Sequence, residues 1–194
     1  MITESLDGGV LTLTLDRPDK HNALTLAMRR RLEDLPHLVG ADPGIKVVVL
    51  TGAGSSFCAG ADLDEINAAD GPIPATNPAR GLAEAPCPVI AAVNGTCITG
   101  GLELALACDL ILAGASARFA DTHTKMGVLP RWGMSARLPR RVGSPRAIEM
   151  SLTGRFVDST EALATGLVDR VVPDDDLSTV VATTAQTIAT HDPA

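Results

Sequence analysis

Val10 to Leu15 alternates, with Leu11, Leu13 and Leu15 on one side and Thr12 and Thr14 on the other, the period of a strand with one buried face. From Asn22 the period changes. Leu24, Met28, Leu32 and Leu35 recur at three- and four-residue spacing, which predicts a helix with Asn22 as its N-cap and Pro36 closing or kinking it. Lys46 to Thr51 (KVVVLT) is a continuous apolar run, as expected for a strand buried on both faces. It enters GAGSSFCAGADL, a glycine-rich turn that should open a helix near Asp62. Pro88 to Val93 repeats the scheme, and its turn NGTCITGG leads into the helix LELALAC. Two strand, glycine turn and helix units thus stand in tandem and suggest a layered repeat.

Ala68 to Pro88 lies between the units, holds five of the thirteen prolines, and reads as an irregular surface segment able to shape or cover a site. Beyond, Asp109 to Ala113 and Ala117 to Ala120 read as short strands, Gly133 to Val142 and Pro145 to Leu152 as helices, and Leu167 to Val172 as a last strand. Asp174 to Asp176 then start a helix, where acidic residues suit the first turn. This alternation is that of an α/β chain, and 194 residues suit one domain.

Composition removes several functions. A net charge of −7 is at odds with a broad nucleic-acid-binding surface, and three Phe, one Trp and no Tyr are a poor base-stacking platform. Arg29 to Arg31 read as a solvated helix face, with a ligand phosphate or a subunit contact as alternatives. Cys58, Cys87, Cys97 and Cys108 form no CxxC pair, so small buried hydrophobes are expected rather than metal ligands. The opening MITESLDGG has neither a basic nor an apolar signal region, and no apolar run reaches the roughly 18 residues of a membrane span. A cytoplasmic, reduced setting with no membrane or nucleic-acid partner and no metal is expected.

Glu103 stands out because Leu102, Leu104, Leu106 and Cys108 surround it on a helix that is apolar on nearly every side. An unpaired buried carboxylate costs several kcal/mol, about enough to force it neutral, so it needs a catalytic, ligand-binding or satisfied structural role. Gly100 and Gly101 stand at that helix's start, where free N–H groups favour negative charge, and Ala61 holds the similar position after Gly60. Two such donors aimed at one point make an oxyanion hole; the glycines alone equally suit tight turns. His123, in FADTHTKMG, reads as a hydrogen-bonded structural residue unless other groups converge on it, and Asp121 as a turn or cap residue. Trp132 suits either a core position or a pocket wall. GxSxG, HExxH and GxxxxGK[ST] are absent.

Taken together, LDRPDKHNAL, VVVLTGAGSSFCAGADL, PVIAAVNGTCITGGLELALACDLILA, GVLPRWGMSARLPRRVG and LTGRFVDSTEALATGLVDRVV resemble the crotonase, or enoyl-CoA hydratase/isomerase, family. They occur in family order over nearly the whole chain. The resemblance implies a spiral of β-β-α turns over about residues 1–172, with the start of a C-terminal helical region over about 173–194 that is short or missing against family members. It implies coenzyme A thioester as substrate rather than a permanently bound cofactor, and a homotrimer or dimer of trimers. It further implies oxyanion N–H groups at Ala61 and Gly100, adenine recognition by the backbone at Ala59, and Lys20 near the cofactor phosphates. Glu103 falls on the first family glutamate, and His123 stands where hydratases carry the second. The expected activity is addition of water to a 2-enoyl-CoA, with double-bond isomerisation or acyl-CoA binding without turnover as alternatives.

Overall fold

The computed structural model describes residues 1–68 and 75–191. Strands β1 (Ile2–Asp7) and β2 (Val10–Leu15) form a hairpin closed by Gly8 and Gly9, both at the positive φ that so tight a turn requires. The helix expected from Asn22 starts later and is two helices. Thr25 Oγ1 caps α1 (Leu26–Glu33) by accepting from Met28 N at 3.3 Å, and Pro36 sits in the first turn of α2 (Leu35–Ala41), where its missing N–H is harmless. Arg29 is buried on α1 rather than solvated, and Arg31 pairs with Glu4 at 2.7 Å.

Three successive turns follow the same path. The first is β3 (Val47–Gly52), β4 (Ser56–Cys58), α3 (Leu63–Asn67) and α4 (Pro78–Ala83). The second is β5 (Val89–Val93), β6 (Thr96–Ile98) and α5 (Gly100–Ala107). The third is β7 (Leu110–Gly114), β8 (Arg118–Ala120), a 3₁₀ turn at Thr124–Met126 and α6 (Met134–Val142). Each glycine-rich turn therefore hides a three-residue strand too short to show a period. The segment read as irregular contains α4, while residues 69–74 of it lie outside the described residues. The chain continues through α7 (Ser144–Thr153), β9 (Val157–Asp158), α8 (Ser159–Ala164), β10 (Arg170–Val172) and α9 (Leu177–Ala189).

The first strands of the turns line up in a six-stranded sheet, ordered β1-β2-β3-β5-β7-β10 and parallel except for β1. The second strands form a smaller sheet, β4-β6-β8-β9, with only β9 antiparallel. This is the expected β-β-α spiral. Side-chain amides stitch its corners together. Asn94 Nδ2 donates to Gly52 O and Gly54 O of the turn before, both at 2.8 Å. Asn22, fully buried at φ 56°, accepts from Arg17 N at 2.9 Å and donates to Ala53 O at 2.9 Å and Ser56 O at 2.6 Å. It is a corner staple, not a helix cap.

All eight residues of α5 are buried between the smaller sheet and the helices α4 and α6. Leu177, Val181 and Ala185 of α9 cover the opposite face of the large sheet, against Val47, Val49 and Ile90. No described helix is long and apolar enough to cross a membrane. A Cβ on Gly101 would lie 2.1 Å from Cys58 O, a backbone atom with no freedom to yield. Gly101→Ala is therefore expected to destabilise the fold by about 1–3 kcal/mol despite alanine's better helix propensity, as urea titration would show.

Candidate active site

Glu103 projects from the first turn of α5 and is 2% exposed. Its Oε1 accepts two backbone hydrogen bonds, from Trp132 N at 2.7 Å and Met134 N at 3.0 Å. Met134 begins α6, so the positive end of that helix faces the carboxylate. Gly133, at φ 111°, lets the chain turn so that both amides converge. The carboxylate is thus satisfied on one oxygen only. The second, Oε2, faces His123 Nε2 at 3.5 Å, beyond good hydrogen-bond distance, so both atoms can engage a third group between them.

His123, 6% exposed, reaches this point from the loop after β8. Its Nδ1 bonds Asp121 Oδ1 at 2.6 Å, and Asp121 Oδ2 accepts from Ser151 Oγ of α7 at 2.7 Å. Burial alone would lower the imidazole's proton affinity. The hydrogen bond to Asp121 and the carboxylate charges of Glu103 and Asp121 outweigh it and raise the His123 pKa to about 9. Burial pushes Asp121 the other way, yet the bonds from His123 and Ser151 hold its carboxyl below the ordinary range. Asp121, read from sequence as a turn residue, is instead the partner of His123.

Gly60, at φ 98°, brings the end of the first turn against the start of α5. A Cβ on Gly60 would lie 2.9 Å from Gly100 N, and one on Gly100 would lie 2.5 Å from Trp132 Cζ3. Leu24 bridges Ala61 in parallel fashion, bonding Gly60 O at 2.7 Å and Asp62 N at 3.0 Å. That pattern turns the N–H of Ala61 away from Leu24. Among the described residues neither Ala61 N nor Gly100 N has a hydrogen-bond partner. Thr99, just before Gly100, is held at φ 54° and ψ −120°, its hydroxyl bonded to that of Thr122. Such strain in a β-branched residue is costly, and here it sets the direction of the first α5 amide.

Ala59 N donates to His21 O at 3.0 Å, which brings the Ala59 backbone beside the Lys20 segment. Lys20 itself is exposed and paired with Asp64 at 2.8 Å. Of the expected residues, Ala59 thus adjoins the Lys20 segment, Gly60 beside Ala61 abuts Gly100 at the start of α5, and Glu103 of the same helix faces His123. Trp132 both buries its ring against Gly100 and, through its amide, holds Glu103; its Nε1 donates to Thr76 O at 2.8 Å. Sequence reasoning missed Asp121 and Ser151. An Asp two residues before a His is a weak signal, and nothing marks Ser151, which comes from another helix. Two facing titratable groups are able to exchange protons, and N–H groups without a partner are able to stabilise negative charge on an oxygen.

The sequence profile of the enoyl-CoA hydratase/isomerase family matches residues 5–194. A probable peroxisomal enoyl-CoA hydratase of Arabidopsis thaliana is 39% identical over 170 residues, 86% of this chain and 64% of that protein, so the chain spans just under two thirds of this relative's length. The crystal structure of an enoyl-CoA hydratase from Mycobacterium tuberculosis H37Rv is 45% identical, covers 98% of this chain and 83% of its own, and superposes with a TM-score of 0.87. An enoyl-CoA hydratase/isomerase from Pseudoalteromonas atlantica T6c, 36% identical, covers 99% of this chain and 77% of its own with a TM-score of 0.92. Profile, identity and spiral agree, and the chain belongs to the enoyl-CoA hydratase/isomerase, or crotonase, family.

Proposed function

We propose that the protein is an enoyl-CoA hydratase that adds water across the double bond of a 2-enoyl-CoA, bound as substrate rather than as a resident cofactor. The observation that carries this reading is the buried facing of Glu103 Oε2 and His123 Nε2 at 3.5 Å beside the start of α5. Two groups able to exchange protons at one point suit a water molecule and a carbon that must be protonated. The Ala61 and Gly100 amides would stabilise the thioester oxygen as it gains charge, a term worth about 3–4 kcal/mol for one donor in a dry site. Ala59 would receive the adenine through its backbone, and Lys20 would lie near the cofactor phosphates once released from Asp64.

Assembly as a homotrimer or dimer of trimers belongs to the same reading. Ile148 and Leu152, exposed one turn apart on α7, offer apolar surface that a subunit contact would cover. A reduced, cytoplasmic setting belongs to the same reading.

The test is to incubate the protein with crotonyl-CoA in ¹⁸O-labelled water and analyse the product by mass spectrometry. A 3-hydroxyacyl-CoA carrying one solvent oxygen is the expected result. Conversion of a 3-enoyl-CoA to a 2-enoyl-CoA without solvent oxygen would replace hydration by isomerisation. Tight acyl-CoA binding in calorimetry without turnover of any enoyl-CoA would leave a binding protein.

A further inference from the structure

The hydratase reading leaves open which of the two facing groups gives a proton and which takes one, and the residues behind His123 decide it. Asp121 Oδ1 accepts at 2.6 Å from Nδ1, so Nδ1 carries a proton. The other Asp121 oxygen is held by Ser151 Oγ at 2.7 Å, which fixes the plane of the carboxylate. The 121–125 loop is pinned to the same end of α7 by Thr124 Oγ1 donating to Ser151 O and Lys125 Nζ donating to Gly154 O, both at 2.7 Å. On its far side the ring faces the Glu103 carboxylate. We infer that Asp121, locked by Ser151, is a positioning residue that keeps His123 an imidazolium with its Nε2–H toward Glu103, making His123 the acid of the hydration and Glu103 the base. This assignment of acid and base rests on the proposed hydratase activity; the held charge on His123 does not.

The charged groups around the ring agree. The α5 side presents Glu103 and the ring's own loop presents Asp121, while α7 presents neutral Ser151. The neighbouring cations are engaged elsewhere, Lys125 at Gly154 O and Arg137 at Trp132 O. The two carboxylates that face the ring explain why the imidazole holds its proton to about 9 although buried.

The proton inventory then closes within the pair. A water O–H gives its proton to Glu103 Oε2 as the oxygen bonds to C3, and the π electrons move through C2 to the thioester oxygen. The enolate collapses and C2 takes the proton from His123 Nε2. Glu103 is then neutral acid and His123 neutral imidazole, and the proton passes directly from Oε2 to Nε2 to restore both.

The experiment is a ¹⁵N NMR titration of His123 in the wild-type chain and in Asp121→Asn and Ser151→Ala, which needs no substrate. The wild-type ring is expected to stay doubly protonated through neutral pH and titrate near 9. Asp121→Asn should shift that titration down by about two pH units, toward the ordinary histidine value near 6.5, and Ser151→Ala should shift it the same way by less. With crotonyl-CoA, kcat/KM must fall as pH rises through the His123 titration, because the acid loses its proton; the variants should move that limb to lower pH in parallel. A structural role alone would lower stability without moving the ring's titration. A neutral ring at pH 7 in the wild type, or a titration unmoved in the variants, overturns the inference. If Asp121→Asn does not fold, the wild-type titration and Ser151→Ala decide. A titration as expected, with no hydration of any enoyl-CoA, would support the positioning role and count against the hydratase reading alone.

Discussion

Glu103→Gln is expected to lower kcat for crotonyl-CoA hydration by about 10²- to 10⁴-fold, the range a positioned general base contributes, with little change in KM. Glutamine has nearly the same shape, and its carbonyl oxygen can still accept from Trp132 N and Met134 N, so the loop and the start of α6 should keep their places. What is lost is the atom facing His123, where a carboxylate oxygen becomes an N–H donor that can neither deprotonate water nor hand a proton back. Because the segment proposed to hold the cofactor, Lys20 to Ala61, is untouched, binding of acyl-CoA measured by calorimetry should persist. Full hydration by this variant at unchanged affinity would remove Glu103 from the mechanism.

Asn22→Ala should be among the most destabilising single changes in the chain. It removes a fully buried amide, leaves Arg17 N and Ala53 O without their side-chain partner, and leaves Ser56 O only the longer bond from Asn94 Nδ2 at 3.4 Å. Each buried orphan costs about 1–3 kcal/mol, and a φ of 56° adds a penalty for alanine that asparagine largely escapes. The sum, about 3–6 kcal/mol, is a large part of the roughly 5–15 kcal/mol that holds an ordinary domain together. Urea denaturation should show a much lower midpoint. Activity should fall as well in whatever folds, because the corner that Asn22 staples runs directly into Ala59, Gly60 and Ala61. A midpoint within experimental error of the wild type would mean the spiral corners do not depend on this amide.

The long buried strands β3 and β5, the apolar helix α5 and the anomalous Glu103 were legible in the sequence, because continuous apolar runs and a lone charge within one are local patterns. The strands β4 and β6 were not: three residues inside a glycine-rich stretch show no period, and they become strands only by pairing with the neighbouring turn of the spiral. The same reason explains Asn22. Its place before an apolar-periodic run is that of a helix cap, and only the stacking of one turn on the next shows that its amide serves two distant carbonyls. Arg29 likewise looked solvated because its neighbours Thr76 and Glu65 come from later segments.

By itself, then, the sequence determined the α/β repeat, the family, and the lone carboxylate buried in the apolar helix α5. These depend on residue type and short-range order, which the chain carries openly. The state of His123 belonged to the tertiary structure alone. Asp121 lies two residues away in sequence, but Ser151, which holds Asp121, and Glu103, which faces the ring, come from two separate helices, and the charge of a buried imidazole is set by all the groups that fold around it.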